Sequence, residues 1–438
     1  MSDPVAHRPD TASSPRATAR WLTLGVALLI AWGSLYPLEF RIPTPIEWHR
    51  RLALLTAHIH YRADLIANFL LYLPFGKFFL PGPTEVLPEV AKAQAQPMIG
   101  HRGARTEALL GRLDEPLRAA FRTKSPVYIA AASATGLMEA AIRNGVRRKV
   151  LCLVNGSFSE RFAKIASACG KEVVKVEVPL GQAFEADQVK GLLDSSGADA
   201  VTLAHSETST GVLNPVGEIA PVVLAKPDVM LLVDAVTSLG GSPVETDAWG
   251  LDFVLTGSQK AFALPPGLAF GVASARMLER AKTLPDRGIY LDLIPYDEAI
   301  RKRQTPYTPA LSLMYALEAQ LGRIAAEGGI EKRWARHNAM RERVEKWVAK
   351  EAGAKLGLAY LPREGRRSWT VSCLKLPEGG KLAGGAVAKA MDAKFGYTIG
   401  AGYGKLKDGT IRIGHMGDHT VAEVEKLLGA LEEVLKSA

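Results

Sequence analysis

The sequence of 438 residues has few cysteines, and Cys152, Cys169 and Cys373 are far apart with no C-x-x-C pair among them. This scarcity excludes a disulfide framework and argues against a zinc site built on thiolates. It is typical of proteins that work in a reducing compartment. The sequence also has no internal repeat, so the chain is not a repeat array.

No basic run is interleaved with aromatic residues, although the formal net charge is +9. Arginine and lysine are spread along the chain in short groups at 50–51, 147–149, 301–303 and 366–367. Such groups are typical of solvated faces, so we predict no nucleic-acid partner. The composition, 47% hydrophobic and 23% charged, is that of an ordinary globular protein with room for two or three domains.

One long apolar run is present at residues 21–38, and it contains no charged residue. Its length is close to the ~20 residues of a membrane helix, and its tryptophans suit interfacial positions. A cleaved signal peptide is the alternative, because Arg16 and Arg20 precede the run. No clean small-x-small cleavage site follows it, however, so a membrane helix is favoured.

A second apolar run, at residues 64–76, is too short to span a membrane comfortably, and Pro74 interrupts it. Its D-x-x-x-N-x-x-x-x-x-P-x-G pattern makes residues 21–76 resemble the beginning of VanZ-like membrane proteins. The resemblance implies a truncated membrane piece joined to a different protein, either by a real fusion or by a wrongly chosen start of the sequence. We therefore expect residues 1–77 to combine a disordered N-terminus with membrane-type segments.

From residue 78 to about 322, short apolar runs alternate with helix-length spacers. Strands that alternate with helices form a mostly parallel sheet covered on both faces. Residues 323–438 begin with a long amphipathic helix at 330–353 and end with a helix that Thr420 caps. The sequence therefore predicts an α/β protein with a large domain at 78–322 and a smaller α+β domain at 323–438.

Lys260 lies on a turn directly after the predicted strand at residues 251–256. Ligands of open α/β sheets bind at the carboxyl ends of the strands. A lysine held there in an apolar setting loses its preference for charge, and its amine can form a Schiff base with a carbonyl. Taken alone, Lys260 is better explained as a surface lysine that closes a turn, so other residues must decide.

Four further features fall at predicted strand ends. The helix start at 133–136 offers backbone N–H groups and hydroxyls to an anion, and Phe158 can stack on a flat ligand. The hydroxyls at 205–211 can hold a ring substituent, and Asp234 can pair with a protonated pyridine nitrogen. Each has a plain structural explanation, such as a helix cap or a Ser/Thr-rich turn. Together with Lys260, however, they match the groups that pyridoxal 5′-phosphate needs at its phosphate, ring face, O3′, N1 and C4′.

Residues 78–438 resemble the class V aminotransferases of fold type I, close to the alanine–glyoxylate and serine–pyruvate group. The resemblance rests on motifs spread over the chain: LPGPTEV at 80–86, SATGLMEAA at 133–141, NGSFSERFAKIA at 155–166, ETSTGVLNP at 207–215, LLVDAVTSLGG at 231–241, TGSQKAFALPPG at 256–267 and RIGHMG at 412–417. It implies a pyridoxal-phosphate enzyme that exchanges an amino group between alanine or serine and glyoxylate or pyruvate. Lys260 and Asp234 would be catalytic, with Lys260 bound to the cofactor and moving the α-proton.

The resemblance also implies a set of cofactor contacts. Phe158 would stack on the ring, where relatives often have tryptophan, and Thr208 would meet the cofactor through its hydroxyl. The phosphate would be held by a group of residues at two turns: Ser133, Ala134, Thr135 and Gln259. Many relatives have glycine in place of Ala134.

Two assignments concern the substrate and a second chain. Arg412 matches the arginine that binds the substrate α-carboxylate, a role suited to a planar bidentate donor. The family is homodimeric, so Thr308 is expected to reach the phosphate of the neighbouring chain. Cofactor supply favours the cytoplasmic side for the catalytic domain, whether or not residues 21–38 anchor it.

Three alternatives remain open at this point. A class V lyase or desulfurase needs a nucleophilic cysteine on a mobile loop, whereas Cys373 lies in a predicted strand. A phosphonate or phosphoserine transaminase needs a second anion site, which the sequence does not single out. A membrane-tethered scaffold with an inactive enzyme domain is disfavoured because Lys260, Asp234 and Arg412 are all present.

Overall fold

A computed structural model describes residues 77–379 and 382–437. The predicted membrane helix at 21–38 and the VanZ-like pattern ending at residue 76 lie outside these residues. Within the two described ranges, none of the helices combines the length and the apolar character that a membrane span requires.

The helices are short to medium in length, with one exception of 21 residues. They are α1 (Pro88–Ala93), α2 (Ala104–Phe121), α3 (Ala134–Gly145), α4 (Ser157–Ala168), α5 (Ala186–Ser196), α6 (Val216–Leu224), α7 (Ala275–Lys282), α8 (Leu293–Arg301), α9 (Leu311–Ala326), α10 (Ile330–Lys350), α11 (Ala352–Lys355), α12 (Gly384–Phe395) and α13 (Val421–Lys436).

The strands are equally short, and most of them are buried. They are β1 (Lys77–Phe79), β2 (Tyr128–Ala130), β3 (Lys149–Val154), β4 (Glu172–Glu177), β5 (Ala200–Ala204), β6 (Ser206–Glu207), β7 (Val212–Leu213), β8 (Met230–Asp234), β9 (Phe253–Gly257), β10 (Ala269–Ala273), β11 (Ala359–Tyr360), β12 (Val371–Lys375), β13 (Tyr397–Ala401) and β14 (Thr410–Gly414).

The larger sheet has seven strands in the order β2-β10-β9-β8-β5-β3-β4. Strands β9, β8, β5, β3 and β4 are parallel, and β10 runs antiparallel to both of its neighbours. The mostly parallel sheet that the sequence predicts is therefore present. Because the parallel strands end at the same edge, the turns after β3, β5, β8 and β9 meet there.

Helices cover both faces of this sheet, and strand side chains alternate between them. In β8, Leu231 and Val233 pack into one core with α2, α6 and α9, whereas Met230 and Leu232 pack into the other with α3, α4 and α7. Side chains at alternate positions of a strand point to opposite faces of the sheet. Both faces of β8 are apolar here because helices cover both of them. Each fully buried aliphatic side chain contributes about 1.5–3 kcal/mol of transfer free energy.

The smaller sheet has five strands in the order β1-β13-β14-β12-β11. It packs against α10, α12 and α13 around a third core. Helix α10 spans two cores, since Ile330 and Trp334 belong to the large one and Met340 and Val344 to the small one. At the other end of the chain, the predicted cap of α13 is present, because the Glu423 N–H donates to the Thr420 hydroxyl at 3.3 Å.

Strand β1 does not belong to the larger sheet, although the predicted domain boundary at residue 78 places most of it in the large domain. Lys77, Phe78 and Phe79 pair in parallel with Tyr397–Ile399 of β13, so they belong to the smaller sheet. The chain then crosses to the larger sheet through Leu80–Pro83. Three residues are too few for a periodic signal, and their partner strand is distant in sequence, so the pattern alone does not reveal this pairing.

Candidate active site

Lys260 lies just after β9, at the edge where the parallel strands end, and its side chain is buried with 6% of its surface exposed. The Nζ donates a hydrogen bond to the carbonyl oxygen of Pro81. Burial lowers the pKa of the amine to about 8, and the nearby Arg412 guanidinium adds to this effect, while Asp234 and Glu207 oppose it. Roughly a tenth of the amine is therefore uncharged at pH 7, far more than for an ordinary lysine, and this form is able to act as a nucleophile.

Gly82 lies directly against the Lys260 side chain. A Cβ at residue 82 would lie 2.5 Å from the Lys260 Cδ and 2.6 Å from its Nζ, and the φ angle of Gly82 is +113°. Both the space and the backbone conformation therefore require glycine. The motif LPGPTEV at 80–86 contains this residue, but its contact with Lys260 joins two distant segments and is visible only in the fold.

Asp234 is the last residue of β8, and its carboxylate is buried on the same edge as Lys260. Burial raises its pKa to about 6, whereas the Val236 N–H, which donates to Oδ1 at 2.8 Å, and the charges of Lys260 and Arg161 act in the opposite direction. The group is thus mainly ionised at neutral pH with few donors around it. Such a carboxylate is well suited to a cationic N–H partner.

Phe158 lies in the first turn of α4, and its ring centroid is 5.8 Å from the Lys260 Nζ. The Arg161 guanidinium packs over the same ring, with its Cζ 4.9 Å from the centroid. Residues three apart on a helix share a face, which explains the contact between these side chains. The aromatic ring therefore forms one wall of the space around the lysine.

Glu207 fixes the start of α4, and the sequence analysis did not single it out. Helix α4 follows Gly156, which has no side chain to cap it. The buried Glu207 carboxylate accepts hydrogen bonds from the N–H groups of Phe158 and Ser159, at 3.1 and 2.9 Å. It also accepts from the Ser159 and Ser209 hydroxyls. An anion at a helix N-terminus satisfies donors that the helix leaves unpaired, so Glu207 positions Phe158.

Replacing Glu207 with glutamine should lower the free energy of unfolding by about 2 kcal/mol, because an amide NH₂ would face donors that need an acceptor. The matched control is Glu160→Gln, in the first turn of the same helix, where the carboxylate pairs with Lys164 on the surface. The control should change stability by less than about 0.5 kcal/mol. Urea unfolding followed by circular dichroism measures both, and equal shifts would show that Glu207 has no special role.

Thr208 lies in the short hairpin between β6 and β7, among the hydroxyls that the sequence singles out. Its hydroxyl bonds to that of Thr237, and its carbonyl oxygen accepts from the Arg412 Nη1 at 3.3 Å. The hairpin therefore brings a buried pair of hydroxyls next to the arginine. Thr237 follows Asp234 in the same turn, and the sequence analysis missed it because its contact is not local.

Arg412 lies on β14, the central strand of the smaller sheet, and is mostly buried. Its Nε donates to the Ala401 carbonyl oxygen at 2.9 Å, so one edge of the guanidinium is held by the protein. Burial lowers its pKa, but an arginine remains charged. Across residues 77–379 and 382–437, no carboxylate lies within 4 Å of Arg412, which leaves its fork for an external carboxylate.

Ser133, Ala134 and Thr135 form the start of α3. Ser133 has the extended backbone of an N-cap, but its side chain does not cap the helix. The Gln259 side chain folds back towards this helix, since a Cβ at Gly257 would lie 2.7 Å from the Gln259 Oε1 and 3.4 Å from the Ala134 Cβ. Gln259 thus lies close to the start of α3, where a helix leaves its first backbone N–H groups without intrahelical partners.

Thr308 is exposed on the loop between α8 and α9. Its hydroxyl has no hydrogen-bond partner in the part of the chain that the structure describes. The next residue back, Tyr307, donates to the Ile289 carbonyl oxygen, and Tyr290 donates to that of Ala131 at 3.1 Å. The loop therefore lies close to the turn that precedes Ser133, and the predicted contact of Thr308 with a neighbouring chain stays a prediction.

Cys373 lies on β12 and is fully buried, as the sequence predicts for a strand residue. Burial raises the pKa of the thiol to about 11, so it stays protonated at neutral pH. A buried thiol on a strand cannot act as the loop nucleophile that desulfurase chemistry needs. No group of three or more metal-ligating side chains occurs among the described residues either.

The order of the strands and the lysine at their carboxyl edge define a class of protein. Residues 130–426 match the family model described as aminotransferase class-V. The chain therefore belongs to the class V aminotransferases, which depend on pyridoxal 5′-phosphate, and it is an aminotransferase.

Three known proteins are similar to this chain in sequence or in structure. It is 40% identical to an uncharacterized aminotransferase of Methanocaldococcus jannaschii over 82% of this chain and 92% of that protein. It is 32% identical to the L-aspartate–glyoxylate aminotransferase of Paracoccus denitrificans over 82% of this chain and 90% of that protein. The crystal structure of an alanine–glyoxylate aminotransferase from Nostoc sp. superimposes with a TM-score of 0.76 at 30% identity, covering 82% of this chain and 95% of that one.

Proposed function

We propose that this enzyme transfers the amino group of a small L-amino acid, alanine or serine, to glyoxylate or pyruvate. The observation that carries the proposal is the proximity of a buried amine of lowered pKa, Lys260, to Arg412, which has no carboxylate partner among the described residues. The glyoxylate in the names of the Paracoccus and Nostoc relatives supports the acceptor.

The described residues fit pyridoxal 5′-phosphate at each of its polar groups. Asp234 would hold the ring nitrogen, Phe158 the ring face, and the hydroxyls of Thr208 and Thr237 the phenolic oxygen. The phosphate would be held by Gln259 and by the start of α3 (Ser133, Ala134, Thr135). When bound, this cofactor supplies an aldehyde that exchanges amines and a ring that accepts an electron pair from the substrate α-carbon.

Lys260 would carry both the amine exchange and the proton. An amine with a pKa near 8 releases and regains a proton easily at neutral pH, which is what a general acid–base needs. The Pro81 carbonyl oxygen gives the released amine a hydrogen-bond acceptor, and Gly82 leaves room for it to move. Arg412 would hold the substrate carboxylate in a fixed direction, so that the α-proton faces Lys260.

The rate at which the cofactor-free enzyme captures pyridoxal 5′-phosphate should rise with pH and level off above about pH 8. Only the uncharged Lys260 amine reacts, and its pKa of about 8 sets the end of the rise. Capture should also be tighter above about pH 6, where Asp234 is ionised. Stopped-flow absorbance across this range measures both. A rate that keeps rising beyond about pH 10, as for an ordinary exposed lysine, would contradict a buried amine.

The reaction itself is tested by the absorption spectrum of the loaded enzyme. L-Alanine should bleach the visible band of the bound cofactor, and glyoxylate should restore it. A band that persists through both additions would rule out exchange between alanine and glyoxylate. If no band appears after pyridoxal 5′-phosphate is added, the residues described above do not form a cofactor site.

A homodimer is part of the proposal. The support is the family membership of the chain, and Thr308 lies on an exposed loop that contacts Ile289 through Tyr307. In a dimer, Thr308 would reach the phosphate site of the second chain. Sedimentation equilibrium tests this, because a protein that stays monomeric at micromolar concentration would leave Thr308 without its proposed role.

The remaining part of the proposal concerns residues 21–38, which would anchor the enzyme to a membrane with its catalytic part on the cytoplasmic side. The support is the sequence alone, an uncharged apolar run of suitable length. Fractionation of the full-length protein and of residues 77–438 tests the anchor. Equal distribution of the two between membrane and supernatant would remove it.

A further inference from the structure

Tyr403 is an aromatic residue of the site that the proposed function does not use. It follows β13, and 42% of its surface is exposed. Its ring centroid lies 5.8 Å from that of Phe158 and 5.5 Å from the Arg412 Cζ. Tyr403 therefore joins the aromatic wall beside Lys260 to the guanidinium that would bind the substrate carboxylate.

The backbone under Tyr403 is held in place. The Gly402 N–H donates to the Thr410 carbonyl oxygen at 2.9 Å, and the Leu406 N–H donates to the Tyr403 carbonyl oxygen at 3.1 Å. A Cβ at Gly402 would overlap the Leu406 carbonyl group, so only glycine fits beneath the ring. The 3₁₀ turn Gly404–Leu406 follows directly. The backbone that carries the tyrosine is thus fixed by a tight turn, and the ring itself lies against Phe158 and Arg412.

Arg412 is tied to the same turn. Its Nε donates to the carbonyl oxygen of Ala401, two residues before Tyr403, and its guanidinium faces the tyrosine ring at a cation–π distance. A ring in this place shields one side of the arginine from water. A carboxylate on Arg412 must therefore approach from the side that faces Lys260.

This arrangement limits the space for a substrate side chain. The α-carbon is one bond from the carboxylate that Arg412 would hold and one bond from the nitrogen that faces Lys260. The wall that runs from Phe158 to Tyr403 closes one side of that gap. We propose that Tyr403 is a specificity-determining residue that restricts the enzyme to amino acids and 2-oxo acids with side chains of about one carbon. This inference rests on the proposed function, since it concerns the substrate of the same site.

The test compares Tyr403→Ala and Tyr403→Phe with the wild type in the loaded enzyme. The measured quantity is the ratio of kcat/KM for L-alanine to that for L-norvaline, which is two carbons longer. The wild type should favour L-alanine by at least about tenfold, and Tyr403→Ala should reduce that preference by about tenfold or more. Tyr403→Phe keeps the ring and should behave like the wild type. Unfolding in urea should be unchanged in both variants, because the residue is exposed.

A binding measurement gives a readout that does not depend on turnover. Calorimetry with unreactive propionate and pentanoate should show that Tyr403→Ala weakens propionate about two- to fivefold, through loss of the ring beside Arg412. Pentanoate should bind relatively better in this variant than in the wild type. Tyr403→Phe should change neither.

The outcomes separate the two proposals. If the wild type turns over L-alanine and L-norvaline equally well, or if Tyr403→Ala leaves the ratio unchanged, the role of Tyr403 is wrong and the aminotransferase proposal stands. If the wild type turns over no donor, the proposed substrates are wrong. In that case, binding of propionate and pentanoate is the only test of Tyr403. If the wild type and Tyr403→Ala show the same preference between these two carboxylates, the proposed role of Tyr403 is wrong.

Discussion

Replacing Lys260 with alanine should abolish turnover of alanine and glyoxylate, with a loss of on the order of 10⁴-fold or more in kcat. The variant loses at once the amine that would bind the cofactor and the group that would move the α-proton, and Lys260 is the lysine that the described residues place beside the Asp234 carboxylate. Coupled assays of pyruvate release measure the loss. Borohydride reduction followed by peptide mass spectrometry should show the cofactor mass on Lys260 in the wild type only.

The matched control for this experiment is Lys190→Ala on α5, where the lysine side chain is 68% exposed and pairs with Asp194. It should retain full activity, since exposed pairs contribute little. Added ethylamine should restore part of the activity of the Lys260 variant, because a small amine fits the space that the side chain leaves. Turnover above about 1% of the wild type without added amine would show that another group carries the proton.

Replacing Asp234 with asparagine should reduce kcat/KM by on the order of 10³-fold, the effect expected when one preorganised charge is removed from a buried site. Asparagine keeps the size of the side chain but cannot hold a protonated ring nitrogen by charge. The dissociation constant of the cofactor should rise as well, and this can be measured by titration of the absorbance. Aminotransfer and cofactor affinity should fall together, since both depend on the same carboxylate.

Asp252 provides a stringent control for that change. It is also a buried carboxylate of the large sheet, but it precedes β9 and pairs with Arg276 at the opposite edge. Asp252→Asn should lower the stability of the fold by about 3 kcal/mol, as expected for a broken buried pair, and leave cofactor affinity unchanged. If both variants weaken cofactor binding equally, the effect of Asp234 is a general loss of stability.

Local patterns in the sequence were sufficient to predict some helices and strands, because each of these elements follows a simple rule. Strand β3 (Lys149–Val154) follows such a rule, because its five residues from Val150 to Val154 are all apolar. The start of α13 was predicted from Thr420, because a threonine followed three residues later by Glu423 satisfies the helix end by itself. These features depend on neighbours within a few residues.

Some strands with weak local patterns were not predicted. Strand β10 contains small residues and Gly271, and it becomes a strand because β2 and β9 flank it. The same limit applies to the site. The residue types at strand ends pointed to Lys260 and Asp234, whereas Glu207 and Tyr403 have their roles only because separate segments meet. Local propensity carries no information about which distant segments come into contact.

The pairing of strand β1 determines the stage of synthesis at which the active site can fold. Lys77 pairs with Tyr397, about 320 residues later, and Leu80 and Pro81 rest against Gly400 and Gly414. Contacts between residues so far apart form late, because the chain between them must be ordered first. On the ribosome, the segment that covers Lys260 therefore has no place to dock until β13 and β14 have been synthesised. Lys260 therefore stays uncovered from its own synthesis until these two strands are available, and its pocket closes only near the end of translation.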